Sequence, residues 1–363
     1  MSGTSGRLFF AVLNMGLGHA TRSLPLLRAF REQNWEVLAG SSGRSLTLLE
    51  QELPGTEFVE LPDYNLEYSE RGADLPRLMS RAPGMLGVIR READMLEDLV
   101  SEGGIDLVIS DHRYGCFSDR VPSYFLSHQL RFVAPGPLRP FEFVGAGFNR
   151  RFHRRYARVI VPDRAGEEGG VLSGRLSHGG EQRGCLFAGI LSSIRKQPGS
   201  VQDIDVLISV SGPEPQRTAL QEVVLRQVRD VPGKKVVALG VPETGGVEEV
   251  DGDLTIHDHL NRDQMEAYMN RSRLIVARSG YSTVMEIAEL GKRALFIPTP
   301  GQTEQIYLAG RYRSRGWFHS VAQDKLDLGR DIAVAGTMPG FPQHYSTEET
   351  VRSLMPVLTG GHG

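Results

Sequence analysis

Three side chains in the first half of the chain follow predicted strands and could carry acid–base chemistry. His19 stands at the start of a predicted helix, and Asp111 and His128 follow two later strands. The positive end of the helix lowers the pKa of an imidazole placed there and favours the neutral, base-competent form. We therefore expect His19 to be a general base, with Asp111 or His128 as the reserve candidate.

The glycine motif Gly16-Leu17-Gly18 precedes that helix. A dinucleotide-binding loop has a third glycine and an acid that closes the second strand. Here the third position is Thr21, and Ala39-Gly40-Ser41 stands where the acid is expected, which argues against a nicotinamide cofactor. Two interpretations remain: a plain turn between strand and helix, or a loop whose backbone approaches a substrate.

The second half repeats the opening of strand, glycine loop and helix. Ser211-Gly212-Pro213 is predicted to open a helix whose free N–H groups could receive a diphosphate, and a plain turn fits this stretch equally well. Glu214 is an unfavourable neighbour for phosphate, and Arg217 could offset its charge.

A set of hydroxyl-binding side chains follows two further strands of the second half. After a strand at 274–277 come a Ser-Gly loop and a helix with Thr283 and Glu286, and the next strand leads to Gln302, Glu304 and Gln305. Carboxylates and amides pair well with sugar hydroxyls. Thr283 and Glu286 also have the spacing of a capping box, which would be a purely structural explanation of both.

Metal binding has little support in the sequence. Asp203-Ile204-Asp205 and Asp251-Gly252-Asp253 have Asp-x-Asp spacing, but the first starts a predicted strand and the second lies in a polar turn. His257 and His259 are close together without a second ligand pair. We predict solvated acids and no metal.

The elements that position these residues alternate between strands and helices, which predicts parallel sheets. Strands are expected at 8–13, 35–39, 58–61, 106–110 and 123–127, then at 204–210, 235–239, 254–256, 274–277 and 294–297. Between the third and fourth, two helices are expected, interrupted at Pro83-Gly84. The economical arrangement is an α/β protein of two doubly wound, Rossmann-like domains that face each other across a cleft.

The domain boundary is expected in the glycine-rich segment 166–184. Residues 1–165 would form the first domain, and residues 185–363, including a C-terminal helix, the second.

The segment 148–158 holds five arginines and no acid. It predicts either a solvated helix face with inward-packed aromatics or a patch that meets anionic lipid head groups. Arg77, Arg81, Arg90 and Arg91 flank the preceding helix pair and could belong to the same surface.

Taken in order, these motifs resemble the GT-B glycosyltransferases, and most closely the MurG-like group of family 28. Gly16-Leu17-Gly18-His19 matches the first glycine loop, Ser127-His128-Gln129 the acceptor-side loop, and 278–305 the donor site. The second loop departs from the family's glycine-glycine-serine type, and Ser192-Ser193 stands where relatives often have an arginine, a role that Arg195 could take.

The resemblance implies how the site residues divide between two substrates. Glu286 would bind ribose hydroxyls, Glu304 and Gln305 the donor sugar, and the His259-Leu260 turn the base. The full donor set is Ser211, Gly212, Arg217, His259, Leu260, Arg278, Ser279, Gly280, Thr283, Glu286, Gln302, Glu304 and Gln305. The acceptor-side set is Gly16, Gly18, Tyr114 and Gln129.

The function implied is an inverting, metal-independent transfer of a sugar from a UDP-sugar to an acceptor hydroxyl. The acceptor could be lipid-linked. Two alternatives remain: a nucleotide-sugar hydrolase or 2-epimerase on the same fold, and a non-catalytic nucleotide-sugar-binding subunit.

Composition sets the remaining expectations. The chain has 363 residues, 40% of them hydrophobic and 23% charged, which suits two globular domains. A net charge of −3 argues against nucleic-acid binding. Two cysteines, no long apolar run and no signal peptide predict a cytoplasmic protein, with peripheral attachment to the inner face of the membrane as an option.

Overall fold

The predicted alternation of strands and helices is present in the computed structural model of the chain. The structure describes residues 4–64, 75–131, 142–241, 246–249 and 252–360. The helices are α1 Gly18–Glu32, α2 Gly43–Glu52, α3 Leu75–Ser101, α4 Glu142–His153, α5 Gln216–Gln227, α6 Arg262–Arg271, α7 Tyr281–Leu290, α8 Thr303–Ser314, α9 Leu328–Gly336 and α10 Thr347–Thr359.

The strands divide between the two halves of the chain. The first half contains β1 Arg7–Val12, β2 Glu36–Ser41, β3 Glu57–Glu60, β4 Leu107–Asp111, β5 Ser123–Leu126, β6 Arg158–Val161, β7 Ala165–Gly166, β8 Gly169–Gly170 and β9 Leu186–Phe187. The second contains β10 Ile204–Ser209, β11 Lys235–Ala238, β12 Val247–Glu249, β13 Leu254–His257, β14 Ser272–Ala277, β15 Arg293–Phe296 and β16 His319–Ser320.

Both sheets are doubly wound. The first has the order β3-β2-β1-β4-β5-β6-β9, and all its pairings are parallel. The second has the order β12-β13-β11-β10-β14-β15-β16, with only the edge strand β12 antiparallel to its neighbour. The chain reverses direction across each sheet between β1 and β4 and between β10 and β14, and such switch points are where ligands bind in open α/β sheets.

The chain forms two compact units. The first contains the described residues up to Ser193 and those from Ser346 onward, and the second contains Ile194–Tyr345. The division therefore lies after the glycine-rich segment, and the predicted boundary at 166–184 is corrected.

A buried carboxylate explains why the glycine-rich segment belongs to the first unit. Asp163 accepts hydrogen bonds from the backbone N–H groups of Leu172, at 3.1 Å, and Ser173, at 2.7 Å. Gly170 packs so closely that a Cβ there would lie 1.9 Å from an Asp163 carboxylate oxygen. The glycines thus allow a tight loop to close around Asp163 instead of forming a linker.

The C-terminal helix also belongs to the first unit, contrary to its predicted place in the second domain. Leu354, Met355 and Leu358 of α10 are buried in the same apolar core as α1 and β1. The Tyr124 hydroxyl of β5 donates to the Val357 carbonyl at 3.1 Å. Burial of this apolar face is the physical reason why the chain returns to the first unit after Tyr345.

Three local predictions were wrong. A single helix, α3, runs through Pro83-Gly84, where we expected an interruption. The helix after the second glycine loop begins at Gln216, and Pro213 lies before it. Helix α7 begins at Tyr281 with Gly280 as its N-cap, so Thr283 is not the cap of this helix.

The two cysteines, Cys116 and Cys185, are both free thiols.

Candidate functional site

A buried polar cluster lies at the switch point of the first sheet. His19 begins α1 after β1, Asp111 ends β4, and His128 follows β5. These are the three residues that the sequence nominated for acid–base chemistry, and the fold brings them together. His19 and His128 are 7% and 4% exposed, and Asp111 is fully buried.

The centre of the cluster is Arg22, which the sequence analysis did not single out. Its Nε donates to Asp111 Oδ2 at 2.7 Å, and its Nη2 donates to Asp111 Oδ1. Nη1 lies 2.8 Å from His128 Nδ1, and Nη2 lies 2.9 Å from Nδ1 of both His19 and His112. A guanidinium offers five N–H donors in a planar fork, so this one side chain contacts a carboxylate and three imidazoles.

The spacing of His19, Arg22 and Ser23 contained a signal for this arrangement. Residues three and four positions apart share one face of a helix. Polar residues at these positions interrupt the otherwise apolar buried face of α1. Ser23 Oγ donates to Asp111 Oδ2 at 3.1 Å and completes the set of donors to that carboxylate.

The tautomers of His19 and His128 are assigned from the contacts of their ring nitrogens. His19 Nδ1 lies 2.8 Å from Asp111 Oδ1, which only accepts, and 2.9 Å from Arg22 Nη2, which only donates. Because Arg22 Nη2 already donates to Asp111 Oδ1 and the carboxylate contact is the shorter one, we assign the hydrogen of His19 to Nδ1 and the lone pair to Nε2. Nε2 has no hydrogen bond to any described residue. His128 accepts from Arg22 at Nδ1, so its hydrogen is on Nε2. His19 therefore presents an available lone pair, whereas that of His128 is used by Arg22.

The charges of the cluster follow from burial and from Arg22. Burial alone would raise the pKa of Asp111, but the Arg22 charge holds it well below its usual value. Burial and, next, the Arg22 charge lower the pKa of His19 from 6.5. Burial also lowers the pKa of His112 to about 3. At neutral pH the cluster thus contains an Asp111–Arg22 ion pair beside the neutral imidazoles of His19 and His112.

The residue after Asp111 has a strained backbone that separates two networks. His112 has a φ of 58°, a left-handed conformation that is uncommon for non-glycine residues. Asp111 on one side joins Arg22, and Arg113 on the other side forms a buried ion pair with Glu92 at 2.8 Å. Arg113 also donates to the Val12 carbonyl at 2.7 Å, which ties this turn to the end of β1.

His19, Asp111 and His112 have the types and spacing of a metal-ligand set, with ligand atoms within 4.8 Å of one another. The Arg22 guanidinium, however, contacts all three of these side chains. A metal ion would have to displace a buried positive charge that already neutralises Asp111. The donor set is therefore a poor fit for a metal.

The predicted acceptor-side residues have different environments. Gly16, with a φ of 73°, is exposed in the loop before α1, and Gly18 begins that helix. Gln129 follows His128, and its backbone N–H donates to Ser127 Oγ at 3.0 Å. The prediction that Tyr114 is an acceptor-side residue is wrong. Tyr114 is buried, and its hydroxyl donates to Asn149 of α4 at 2.8 Å, so it fixes the position of that helix and does not face a ligand.

Three loops of the second unit meet at the switch point of its sheet. A Cβ at Gly212 would lie 3.6 Å from Thr299 Oγ1 and 3.7 Å from Arg278 Nε. The loops after β10, β14 and β15 are therefore in contact, which brings together the Ser211-Gly212, 278–280 and 299–305 segments that the sequence nominated for the donor.

Arg278 holds these loops together, and the prediction that it binds the donor is wrong. It is 3% exposed, and its Nε and Nη2 donate to the carbonyls of Ser211, at 3.1 Å, and Gln216, at 2.9 Å. Its remaining N–H groups reach the carbonyls of Ile297 and Pro298 and the Gln323 side chain. Every guanidinium N–H group thus has a protein acceptor, and burial lowers the pKa of Arg278 to about 10.

The amide-rich segment after β15 is also internally bonded. Gln305 Oε1 accepts from the Thr299 backbone N–H at 2.8 Å, and its Nε2 donates to Gln302. Ser279 Oγ donates to the Gln305 carbonyl at 2.8 Å. These bonds set the orientation of Gln302 and Gln305 beside Gly280.

The start of α7 removes the structural explanation for Thr283 and Glu286. With Gly280 as N-cap and no side-chain cap, Thr283 is the third helical residue and Glu286 the sixth. A capping box requires an N-cap hydroxyl, so the predicted box is wrong. Both side chains are partly exposed. Glu304 lies in the first turn of α8 and is also partly exposed.

The second glycine loop carries its own anion. Glu214 Oε2 accepts from Thr218 Oγ1 at 2.8 Å and from the Thr218 backbone N–H at 3.3 Å, and Oε1 accepts from Arg217. Glu214 thus lies where we expected helix N–H groups to receive a diphosphate, and Arg217 is engaged by it. Of the base-binding turn, His259 is exposed and Leu260 is buried.

The Asp-x-Asp pair at 203–205 is engaged in ion pairs, as expected for surface acids. Asp203 accepts from Arg271 at 2.8 and 2.6 Å, and Asp205 accepts from Arg273 at 2.7 Å. Asp251 lies outside the described residues.

Comparison with known proteins supports the assignment of the second unit. Residues 221–321 match the family model described as the glycosyltransferase family 28 C-terminal domain. The chain is 26% identical over 304 residues, 79% of its length, to a protein of Methylobacterium nodulans, of which 76% is covered. That protein is named UDP-N-acetylglucosamine--N-acetylmuramyl-(pentapeptide) pyrophosphoryl-undecaprenol N-acetylglucosamine transferase.

Solved structures share the whole fold at low identity. The calicheamicin glycosyltransferase CalG4 matches with a TM-score of 0.63 and 14% identity, over 99% of this chain and 95% of that one. MurG of Acinetobacter baumannii matches with a TM-score of 0.53 and 14% identity, over 96% of this chain and 99% of that one.

Fold, family model and relatives together define the class of protein: the chain is a glycosyltransferase with the GT-B fold. Residues 221–321 of the second unit match the family 28 C-terminal domain, and the resemblance to MurG-like proteins that the sequence indicated is confirmed. Among the described helices, none is long and apolar enough to cross a membrane.

Proposed function

We propose that this enzyme transfers a sugar from a UDP-sugar to an acceptor hydroxyl with inversion, and that His19 is the general base. The observation that carries the proposal is the 2.8 Å contact between Asp111 and His19 Nδ1, which directs the imidazole lone pair to Nε2. The relative from Methylobacterium nodulans, named for transfer from UDP-N-acetylglucosamine, supports the donor class.

In the proposed step His19 Nε2 takes the proton of the acceptor hydroxyl as its oxygen attacks the anomeric carbon. The bond between that carbon and the diphosphate oxygen breaks, and UDP leaves with the electron pair. A single displacement of this kind inverts the anomeric centre. Asp111 stabilises the imidazolium that forms, as an aspartate does in other base dyads.

The proposal includes no metal. The Arg22 charge at the candidate ligand set of the first unit supports this. The leaving diphosphate would be stabilised by backbone N–H groups at the glycine loop of the second unit. Binding of the diphosphate there requires Glu214 to leave its bond with Thr218.

Product analysis tests the proposal. The protein is incubated with UDP-N-acetylglucosamine and a panel of hydroxyl acceptors, with and without a metal chelator, and the anomeric configuration of the product is read by NMR. We expect inverted product in the presence of chelator. Retained configuration, or release of free sugar at the same rate without acceptor, contradicts the proposal and favours a hydrolase.

The first site prediction concerns Glu286, proposed to bind the ribose hydroxyls of UDP. Glu286→Ala should weaken UDP binding by roughly 10- to 150-fold, since a hydrogen bond to a charged group contributes about 1.5–3 kcal/mol. Glu286→Gln should have an intermediate effect. Titration calorimetry measures both variants, with the exposed Glu222 of α5 changed to Gln as the control. Wild-type affinity in both Glu286 variants would remove the ribose role.

A second prediction concerns attachment to anionic membranes, which would suit a lipid-linked acceptor. On α4 the aromatics Phe148 and Phe152 pack inward against Tyr114, as the solvated-face interpretation expected. Arg151 on the same helix and Arg154, just after its end, are exposed. Phe143 on the same helix is 71% exposed. Arg90 and Arg91 are also exposed, and the side chains of Arg77 and Arg81 lie outside the described residues.

We expect sedimentation with phosphatidylglycerol vesicles at low salt and loss of binding as salt rises, because exposed charges are screened over about 8 Å at physiological ionic strength. A double change of Arg151 and Arg154 to Glu should abolish binding. The same change at Arg352, paired with Glu348 on α10, serves as a control. Equal binding to neutral and anionic vesicles would exclude the electrostatic mechanism.

A further inference from the structure

His112 lies between Arg22 and the loop that follows β5, and the proposed reaction step gives it no role. Its Nδ1 lies 2.9 Å from Arg22 Nη2, and its Nε2 lies 3.0 Å from Ser127 Oγ. Its ring packs edge-on against the ring of His19, with the centroids 5.0 Å apart. The side chain is buried, so these contacts fix an imidazole that solvent scarcely reaches.

The contacts of His112 assign its ring hydrogen. A guanidinium nitrogen only donates, so Nδ1 of His112 accepts from Arg22 Nη2. The hydrogen of the neutral ring is then on Nε2, which donates to Ser127 Oγ. The 3.4 Å separation between Nδ1 and Asp111 Oδ1 is longer than an ordinary N–H···O hydrogen bond. Burial lowers the pKa of His112 to about 3, so the ring is a neutral acceptor at neutral pH.

The two hydrogens of Arg22 Nη2 have three candidate acceptors. Nε and Nη2 form a bidentate fork with the two oxygens of Asp111, which takes one Nη2 hydrogen. The second hydrogen has two candidates, because Nδ1 of His19 and Nδ1 of His112 both lie 2.9 Å from Nη2. Nδ1 of His19 lies 2.8 Å from Asp111 Oδ1 and can donate to it, whereas Nδ1 of His112 lies 3.4 Å away. His112 is therefore the acceptor of the second hydrogen.

The acceptor of that hydrogen decides where His19 keeps its lone pair. If the hydrogen pointed at His19, Nδ1 of His19 would have to accept it, and the ring hydrogen would move to Nε2. The ring would then have no lone pair to offer a substrate hydroxyl. Because His112 takes the hydrogen, Nδ1 of His19 donates to Asp111 and Nε2 keeps the lone pair.

We propose that His112 is a positioning residue, which accepts the second Nη2 hydrogen of Arg22 and thereby holds His19 in the tautomer with its lone pair on Nε2. This role rests on the proposed function, since it concerns the base of that reaction. The left-handed backbone of His112, with a φ of 58°, supports it. Strain of this kind persists at functional sites where the surrounding contacts hold a residue in place, and here both ring nitrogens are held.

NMR spectroscopy of the histidine rings tests the tautomer of His19 directly and without substrate. The full chain is labelled with ¹⁵N in its histidines, and long-range ¹H–¹⁵N correlation at neutral pH distinguishes a ring nitrogen that carries hydrogen from one that carries a lone pair. The His19 signals are identified by their loss in His19→Gln. We expect wild type to carry the hydrogen on Nδ1 and the lone pair on Nε2.

Three variants separate the acceptor at His112 from the volume of its ring. His112→Phe fills the ring volume without an acceptor and should move the His19 hydrogen to Nε2. His112→Asn keeps an acceptor oxygen near the position of Nδ1 and tolerates a left-handed backbone, so it should retain the wild-type tautomer. The matched control is His153→Phe, the same change at a histidine of α4 that packs on Phe125, and it should leave the His19 signals unchanged.

The rate of sugar transfer provides a second readout. His112→Phe should transfer at least about 10-fold more slowly than wild type in a single turnover, since a base held in the wrong tautomer loses up to about 10⁴-fold. UDP affinity should be unchanged, because the proposed donor residues lie in the other unit. His112→Asn should recover most of the rate.

An unchanged His19 tautomer in His112→Phe would overturn the proposal, and so would a changed tautomer in both His112→Phe and His112→Asn. Wild type with the hydrogen on Nε2 of His19 would also overturn it. If His112→Phe does not fold, His112→Gly provides the same test, because it lacks the acceptor and fits a φ of 58°. A changed tautomer with an unchanged transfer rate supports the assignment of His112 and contradicts the base role of His19, so failure of the proposed function is seen separately.

Discussion

His19→Ala should lower the rate of sugar transfer by about 10²- to 10⁴-fold, the usual contribution of a positioned general base. UDP affinity should change little, because the proposed donor residues lie in the other unit. His19→Gln should not restore the rate, since an amide can hold a hydrogen bond but cannot accept the proton. The lowered pKa of His19 adds a further readout: the wild-type rate should stay high below pH 6.5 and fall only when the imidazole is protonated.

Single-turnover transfer measures the two variants, with the donor and acceptor found by product analysis. His178→Ala, an exposed histidine of the same unit, is the matched control. If both His19 variants transfer at the wild-type rate, His19 is a structural loop residue. The base would then have to be sought at Asp111 or His128.

Asp111→Ala should destabilise the protein by about 3–5 kcal/mol, because it leaves the Arg22 guanidinium buried without its counter-ion. Arg22 is 2% exposed and has no other carboxylate partner among the described residues. Ser23→Ala removes only one 3.1 Å hydrogen bond to the same carboxylate and should cost about 1 kcal/mol. Urea unfolding followed by fluorescence compares the two variants.

A double change separates the ion pair from simple packing. Arg22→Met combined with Asp111→Leu removes both charges, so it should be less destabilising than Asp111→Ala alone. Equal stability of Asp111→Ala and Ser23→Ala would show that Arg22 finds another partner, and the central role given to this ion pair would be wrong.

The sequence by itself determined the architecture, because hydrophobic periodicity and glycine loops are local signals. Strands at β1, β4, β10 and β14 and the loops that follow them were placed within one or two residues. Parallel strands put their carboxyl ends at one edge, so His19 and Asp111 could be expected to meet at the switch point before any coordinates.

Only the tertiary structure decided which hydrogen-bond partners each buried polar side chain has. The sequence does not distinguish the roles of Arg22 and Arg278. In the structure Arg22 donates to Asp111 beside the candidate base, whereas Arg278 donates to backbone carbonyls of three loops. Burial decides this, since a buried guanidinium must satisfy its N–H groups with whatever acceptors the fold places around it.

The same principle explains the errors in domain boundary and acceptor residues. The glycine-rich segment 166–184 has the composition of a linker, but Asp163, buried just after β6, accepts hydrogen bonds from the backbone N–H groups of Leu172 and Ser173 within it. Helix α10 follows the second unit in sequence but buries its apolar face in the first, and Tyr114 turns into the core beside Phe125. The local sequence does not predict the boundary, the packing of α10 or the burial of Tyr114, because each depends on contacts between residues far apart in the chain.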